Sequence, residues 1–324
     1  MHKKLAHKLD TQLKQEVHQG LTAYPKFLSS KFIYDKAGDK LFQDIMNMPE
    51  YYLTNTEFRI LEQYKEQLAQ HFSNAKKSFH LIEMGAGDGK KTKILLHHFT
   101  NKKLDFTFSP IDISQNALDS LEANLKKEIP ELSTEPLQGS YFETLRKLNF
   151  STDARKVILF LGSNIGNLLH DKAIEFLSQI REYMQPNDLL FIGFDQKKNP
   201  QTILDAYNDA TGITADFNKN LLVRINRELA GNFDVDSFMH WEVYDPETGT
   251  AKSYLVAQSP QEVRIEKLEL DITFDAWETI HTEISQKYDD KTVHWLAEQS
   301  GLNLLETFSD PKDYYKNYLF TKSV

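Results

Sequence analysis

Short apolar runs alternate with helically spaced segments through the middle of the chain. The runs cover Leu81–Met84, 106–112, Val157–Leu161 and Asp188–Phe194, and the first three are followed by helical spacing over about 90–99, 116–127 and 171–184. This order predicts a doubly wound α/β fold with a parallel sheet. After Pro200 the pattern changes: helical stretches at 201–210 and 214–230 precede alternating segments at 238–245, 251–257, 261–265 and 270–275. Alternation with a period of two predicts antiparallel strands, hence an inserted α+β domain. A helix at Lys291–Ser300 then stops at Gly301, and closing runs at Asn303–Phe308 and Tyr318–Thr321 are expected to complete the first sheet with an antiparallel end. The predicted organisation is a helical N-terminal segment at 1–60 contributing to a substrate domain, a core at 61–197, an insertion at 198–286 and a completion of the core sheet at 287–324.

The first run breaks into alternating glycines, Leu81-Ile82-Glu83-Met84-Gly85-Ala86-Gly87-Asp88-Gly89, and Lys90-Lys91-Thr92 is expected to open a helix at once. Such glycines let a strand turn sharply into a helix, clear side chains from a ligand's approach and leave N–H groups facing it. A dinucleotide loop would carry a third glycine where Lys90 stands, and the Walker spacing also fails. The E-x-G-x-G-x-G pattern resembles the loop of S-adenosylmethionine methyltransferases, in which a later acid holds the ribose. Asp112, at the end of the next apolar run, is the candidate for that acid.

Composition narrows the partners. The 324 residues carry a formal net charge of −9, so no nucleic-acid partner is expected. With no cysteine, disulfides, thiolate nucleophiles and thiolate zinc sites are excluded. Met1–Asp10 lacks the apolar core of a signal peptide, and no run approaches the ~18 apolar residues of a membrane span. A cytoplasmic monomer with no membrane partner and no metal is expected. The histidines show no compact ligand spacing, and His97-His98 on a helix are expected to face solvent or packing.

Further motifs carry chemistry. Gly162-Ser163-Asn164-Ile165-Gly166-Asn167 follows the third core strand, where Asn167 is either a substrate ligand or a helix cap. Glu50-Tyr51-Tyr52 and Tyr207 present phenols that suit a zwitterion or a cationic nitrogen, or else pack in a core. In an extended Thr282–Tyr288, Glu283 and Ser285 share one face, suiting a ring with two nitrogens or a solvated strand edge.

Taken as a set and in this order, several segments resemble the histidine-specific Nα-methyltransferases of ergothioneine biosynthesis. They are Tyr34-Asp35, Pro49-Glu50-Tyr51-Tyr52-x-Thr54, the Glu83 loop, Phe160–Leu168, Ala206-Tyr207, Phe217-Asn218-x-Asn220, Ile225–Leu229, Phe233-Asp234 and Thr282-Glu283-x-Ser285. The resemblance runs from about residue 15 to the C-terminus. It implies a class I methyltransferase with a Rossmann-like sheet and an inserted substrate domain, converting L-histidine with S-adenosylmethionine to the trimethylated product hercynine. It also implies that Tyr51, Asn167 and Tyr207 hold the α-amino and α-carboxylate groups, that Glu283 and Ser285 recognise the imidazole, and that Tyr34 and Phe42 flank methyl transfer. Glu83, Gly85, Gly87, Lys91 and Asp112 fall on cofactor positions. Two positions depart from the family: Ser253 stands where a methionine lies beside the imidazole, and Ser140 where aspartate commonly lies near the adenine.

Overall fold

A computed structural model describes residues 9–73, 78–149 and 154–323. The leader reading at Met1–Asp10 therefore falls largely outside the described residues. Strands are numbered in chain order: β1 Lys26–Phe27, β2 Phe79–Met84, β3 Phe106–Asp112, β4 Ser133–Thr134, β5 Leu137–Gln138, β6 Arg155–Phe160 and β7 Leu189–Asp195. They continue with β8 Phe238–Asp245, β9 Thr250–Ala257, β10 Gln261–Ile265, β11 Leu270–Phe274, β12 Thr279–Gln286, β13 Leu302–Ser309 and β14 Tyr315–Lys322. The chain divides into two compact units, Met1–Tyr52 with Lys198–Ser285, and Leu53–Lys197 with Gln286–Val324. The expected boundary at residue 60 falls inside the helix Tyr52–Phe72, nearly all of which belongs to the second unit.

The second unit is built on a sheet of order β13-β14-β7-β6-β2-β3-β4, with β5 also pairing β3. β2 pairs in parallel with both β3 and β6, and β6 pairs in parallel with β7. The closing strands run antiparallel, as β14 pairs β7 and β13 pairs β14. β2 and β7 are buried along their whole length, because helices cover both faces of a parallel sheet. One core cluster gathers Leu81, Phe99, Phe108, Leu159 and Phe191, and the other Ile82, Ile158, Leu190, Leu177 and Leu296. Successive residues of one strand thus feed opposite layers. The chain leaves β2 toward β3 on one side, while β6 lies on the other. The turn after β2 is therefore a topological switch point, where such sheets bind ligands.

The first unit carries a sheet of order β1-β12-β9-β8 and a separate β10-β11 hairpin. The four antiparallel segments expected after residue 237 are all strands, but they do not form one sheet. The helix Ile213–Leu229 buries Phe217, Leu221, Leu222, Ile225 and Leu229, a spacing that marks one face. Helix Lys36–Met46 starts on Asp35, whose carboxylate accepts the N–H groups of Ala37 and Gly38.

Candidate active site

The glycine turn of the second unit is held by backbone bonds. The amides of Gly85 and Ala86 donate to the Ile111 carbonyl at 2.8 and 3.3 Å, and the Gly87 amide donates to Asp112 Oδ2 at 3.3 Å. Gly85, Gly87 and Gly89 sit at φ +75, +53 and +65, which side-chain-bearing residues avoid. A Cβ on Gly85 would lie 2.7 Å from the Tyr141 hydroxyl and one on Gly89 2.6 Å from Leu121, whereas one on Gly87 would meet nothing within 4 Å among the described residues. The turn is thus packed at its two ends and open at its middle. The helix starts at Thr92 rather than at Lys90, because the Gly89 amide closes onto Ala86 and the Lys90 amide onto Asp88 Oδ1. Those bonds hold residues 88–90 in the turn.

Glu83, at the end of β2, is 4% exposed. Its Oε1 accepts the Thr92 hydroxyl at 2.5 Å, while its Oε2 is buried with no hydrogen-bond partner among the described residues. Burial pushes this carboxyl up to about 8, against the bond from Thr92 and the charge of Lys91, which act the other way. Asp112 Oδ1 also accepts the Ser114 amide at 2.9 Å, so its carboxylate joins the turn after β3 to the glycine turn. Burial, and then Asp112, push the Tyr141 phenol up to about 12. Ser140 donates to Glu143 at 2.8 Å. Lys91 pairs with Glu57 at 2.5 Å. Asn167 is exposed at the end of the short turn 164–167 that follows β6.

The first unit brings together most of the other expected residues. Tyr34 meets Phe42 and Phe217 with ring centroids 5.5 and 5.4 Å apart, Phe42 meets Phe217 at 5.9 Å and Tyr51 at 6.4 Å, and Tyr51 meets Tyr207 at 6.2 Å. The Tyr207 hydroxyl and Ser285 Oγ lie 2.7 Å apart. Tyr34 stays 40% exposed, and desolvation by the surrounding protein, then Glu283, Tyr51 and Tyr207, push its phenol above its ordinary range. Asn220 fixes the segment that carries Tyr34, donating to the Ile33 carbonyl and to Asp35 Oδ1, each at 2.9 Å. Arg227 adds a bond to Asp35 at 2.6 Å. Burial of Asp35 opposes its ionisation, but the donors Gly38, Arg227 and Asn220 outweigh it and hold its carboxyl at about 2. Thr282 donates to Asn218 at 2.6 Å and to the Ser253 carbonyl at 3.1 Å, tying β12 to the helix Ile213–Leu229 and to β9. Ser253 itself is 2% exposed and donates to the buried Glu242 at 2.5 Å.

Phe217, Thr92 and Tyr141 are among the residues of these clusters that were not candidates read from sequence. Phe217 lay within a quoted motif, and its ring completes the aromatic group. Thr92 and Tyr141 contact Glu83 and the space over Gly85, and only the fold brings them there.

A glycine turn at the switch point of a parallel sheet, with a buried acid before it and another acid ending the next strand, is the arrangement expected of the cofactor loop of an S-adenosylmethionine-dependent methyltransferase. A family model described as "Histidine-specific methyltransferase, SAM-dependent" matches residues 13–322. The chain belongs to this family. It is 36% identical over 299 residues to a histidine N-alpha-methyltransferase of Mycolicibacterium smegmatis, covering 92% of this chain and 91% of that protein. It is 33% identical over 298 residues to the protein of the same name from Mycobacterium tuberculosis, with 92% and 91% covered. Ergothioneine biosynthesis protein 1 of Schizosaccharomyces pombe is 29% identical over 308 residues, covering 91% of this chain and 39% of that longer protein.

The residues at the turn fit the cofactor. The buried Glu83 oxygen without a donor suits a cationic ligand, and the open middle of the turn leaves its backbone accessible. The described residues contain no group of three or more His, Asp or Glu side chains placed to hold a metal ion, and no helix among them is long and apolar enough to cross a membrane.

Proposed function

We propose that this protein transfers three methyl groups to the α-amine of L-histidine, giving hercynine, with the second unit binding S-adenosylmethionine and the first binding the amino acid. The observation that carries this reading is the group of Tyr34, Phe42, Tyr51, Tyr207 and Phe217 rings with Ser285 bonded to Tyr207, and Glu283 two residues before Ser285 on the same strand. A zwitterionic amino acid whose amine becomes a fixed cation needs aromatic faces, hydroxyl donors and one acceptor for its side chain.

Each residue then has a task. Glu83, Gly85, Gly87, Lys91 and Asp112 hold the cofactor, and Ser140 lies toward its adenine. Bound there, S-adenosylmethionine supplies an electrophilic methyl group on a sulfonium centre. Glu283 accepts a hydrogen bond from the imidazole, and Ser285, held by Tyr207, serves the second ring nitrogen. Tyr51 and Tyr207 orient the α-carboxylate and α-amine. The amine must be neutral to attack, so each transfer requires one proton to leave nitrogen first. Tyr34 and Phe42 line the transfer position, where rings stabilise a growing ammonium by about 0.5–2 kcal/mol and exclude water. With the carboxylate and the ring both fixed, only the amine can turn, so repeated transfer at one position follows.

Ser253 favours a second reading, methylation of a different amino acid, because its buried hydroxyl and Glu242 make a polar pair on β8 and β9. Incubation with S-adenosylmethionine and a mixture of the twenty amino acids, followed by mass spectrometry, separates the two. Histidine alone gaining three methyl groups is the expected result. Methylation of another amino acid in preference to histidine overturns the proposal.

A further inference from the structure

The helix Tyr52–Phe72 carries an acid on its apolar stripe. Glu57 lies on the face of Leu53, Ile60 and Leu61 and is 0% exposed. A carboxylate so buried is tolerated only when donors surround it. Its Oε2 accepts the Lys91 ammonium at 2.5 Å and the Gly162 amide at 2.8 Å, and its Oε1 accepts Asn317 at 2.9 Å. Those donors come from the end of the glycine turn, from the turn after β6 and from β14. β7 passes beneath, since a Cβ on Gly193 would lie 2.3 Å from Glu57 Oε1. One oxygen therefore couples the two turns at the switch point, and Asn317 anchors the other.

Lys91 immediately precedes the helix Thr92–Asn101 and keeps 21% of its side chain exposed. An ammonium has three donors, and the bond to Glu57 uses one. The pair also cancels the lysine's charge. A turn with a free lysine would favour polyanions such as phosphates, whereas a turn with a neutralised lysine favours a zwitterion whose sulfonium adds positive charge.

We propose that Glu57 is a positioning residue for the cofactor: it aims the Lys91 ammonium at the carboxylate of S-adenosylmethionine and, by neutralising that lysine, sets the site's preference for a zwitterion over phosphate anions. This rests on the reading of the glycine turn as the cofactor site.

Calorimetric titration of the full chain and of Glu57→Gln, with S-adenosylmethionine and separately with adenosine 5′-monophosphate, tests the inference. The variant is expected to lose about tenfold in affinity for S-adenosylmethionine, as the loss of a charge-assisted bond implies, and to keep or gain affinity for the monophosphate. A parallel loss for both ligands would mean a merely structural role, and unchanged affinity for S-adenosylmethionine would also overturn the proposal. Should Glu57→Gln fail to fold, Asn317→Ala removes the second anchor with the charge pair intact. It is expected to weaken S-adenosylmethionine by roughly threefold, as one neutral hydrogen bond allows, and unchanged binding there overturns the proposal as well. Failure of the unaltered protein to bind S-adenosylmethionine would instead remove the cofactor site itself.

Discussion

The cofactor turn and the aromatic group are built in opposite ways. The turn uses consecutive residues, Glu83 to Thr92, and its shape is set by positive φ angles and amide bonds to Ile111 and Asp112. The aromatic group uses side chains from separate segments, around Tyr34, Phe42, Tyr51, Tyr207, Phe217 and Glu283, and its shape is set by packing and by bonds such as Asn220 to Asp35. A backbone site tolerates side-chain variation but not a Cβ. A side-chain site depends on each group it contains.

Substitution at Gly85 separates the two regions most sharply. Gly85→Ala adds a Cβ 2.7 Å from the Tyr141 hydroxyl at a φ of +75. Left-handed strain alone costs about 1–2 kcal/mol, so with the clash we expect a loss of roughly 100-fold in S-adenosylmethionine affinity, measured by calorimetry. Tyr141→Phe should restore the steric part, and Gly87→Ala, with open space around it, should lose only about tenfold. Equal losses at the two glycines would break the description of the turn as packed at its ends.

Glu283→Gln is the counterpart in the first unit. We expect the KM for histidine to rise roughly 30-fold, the value of one hydrogen bond to a charged acceptor, while cofactor affinity stays within about twofold. A matching fall in cofactor affinity would show that the regions are not separable in this way.

Glu83 predicts a pH effect confined to the cofactor. Its carboxyl is raised to about 8, so below that pH it holds a proton in the free protein. A cationic ligand favours the ionised form, and binding then requires proton release. Affinity should rise by up to about tenfold per unit as pH increases toward 8 and level off above it. Because the cofactor's own amine titrates nearby, Glu83→Gln supplies the reference, and the two curves should differ below pH 8. Superimposable curves would contradict the assignment.

The smallest expected effect is that of Tyr207→Phe. It removes the bond to Ser285 and leaves the ring contact with Tyr51. A three- to fivefold rise in the KM for histidine, about 1 kcal/mol, is expected in steady-state assays.

The same contrast explains what the sequence made legible. The parallel core, its antiparallel end and the glycine turn are local patterns of apolar runs and glycines, and the strands found at β2, β3, β6, β7, β13 and β14 lie where those patterns put them. The separate β10-β11 hairpin was not legible, because strand pairing between sheets leaves no local trace. The start of the helix at Thr92 was missed because the Asp88 side chain and the Ala86 carbonyl hold the turn open, which spacing alone does not encode. Tyr51, Tyr207, Glu283 and Ser285 could be read from sequence only with a core or solvent-facing alternative left open, and Tyr34 and Phe42 were named only through resemblance, since each alone is an ordinary aromatic, acid or hydroxyl. Glu57 did leave a signal, an acid between Leu53 and Ile60 on a buried stripe, but its meaning depends on donors from residues 91, 162 and 317.

The central claim is that the imidazole is held while the amine is methylated. Tandem mass spectrometry of the product formed from L-histidine and S-adenosylmethionine tests it most directly. The account predicts three methyl groups, all on the α-nitrogen, with the imidazole fragment unshifted in mass. A methyl group on the ring would contradict the assignment of Glu283 and Ser285 and with it the arrangement proposed for the first unit.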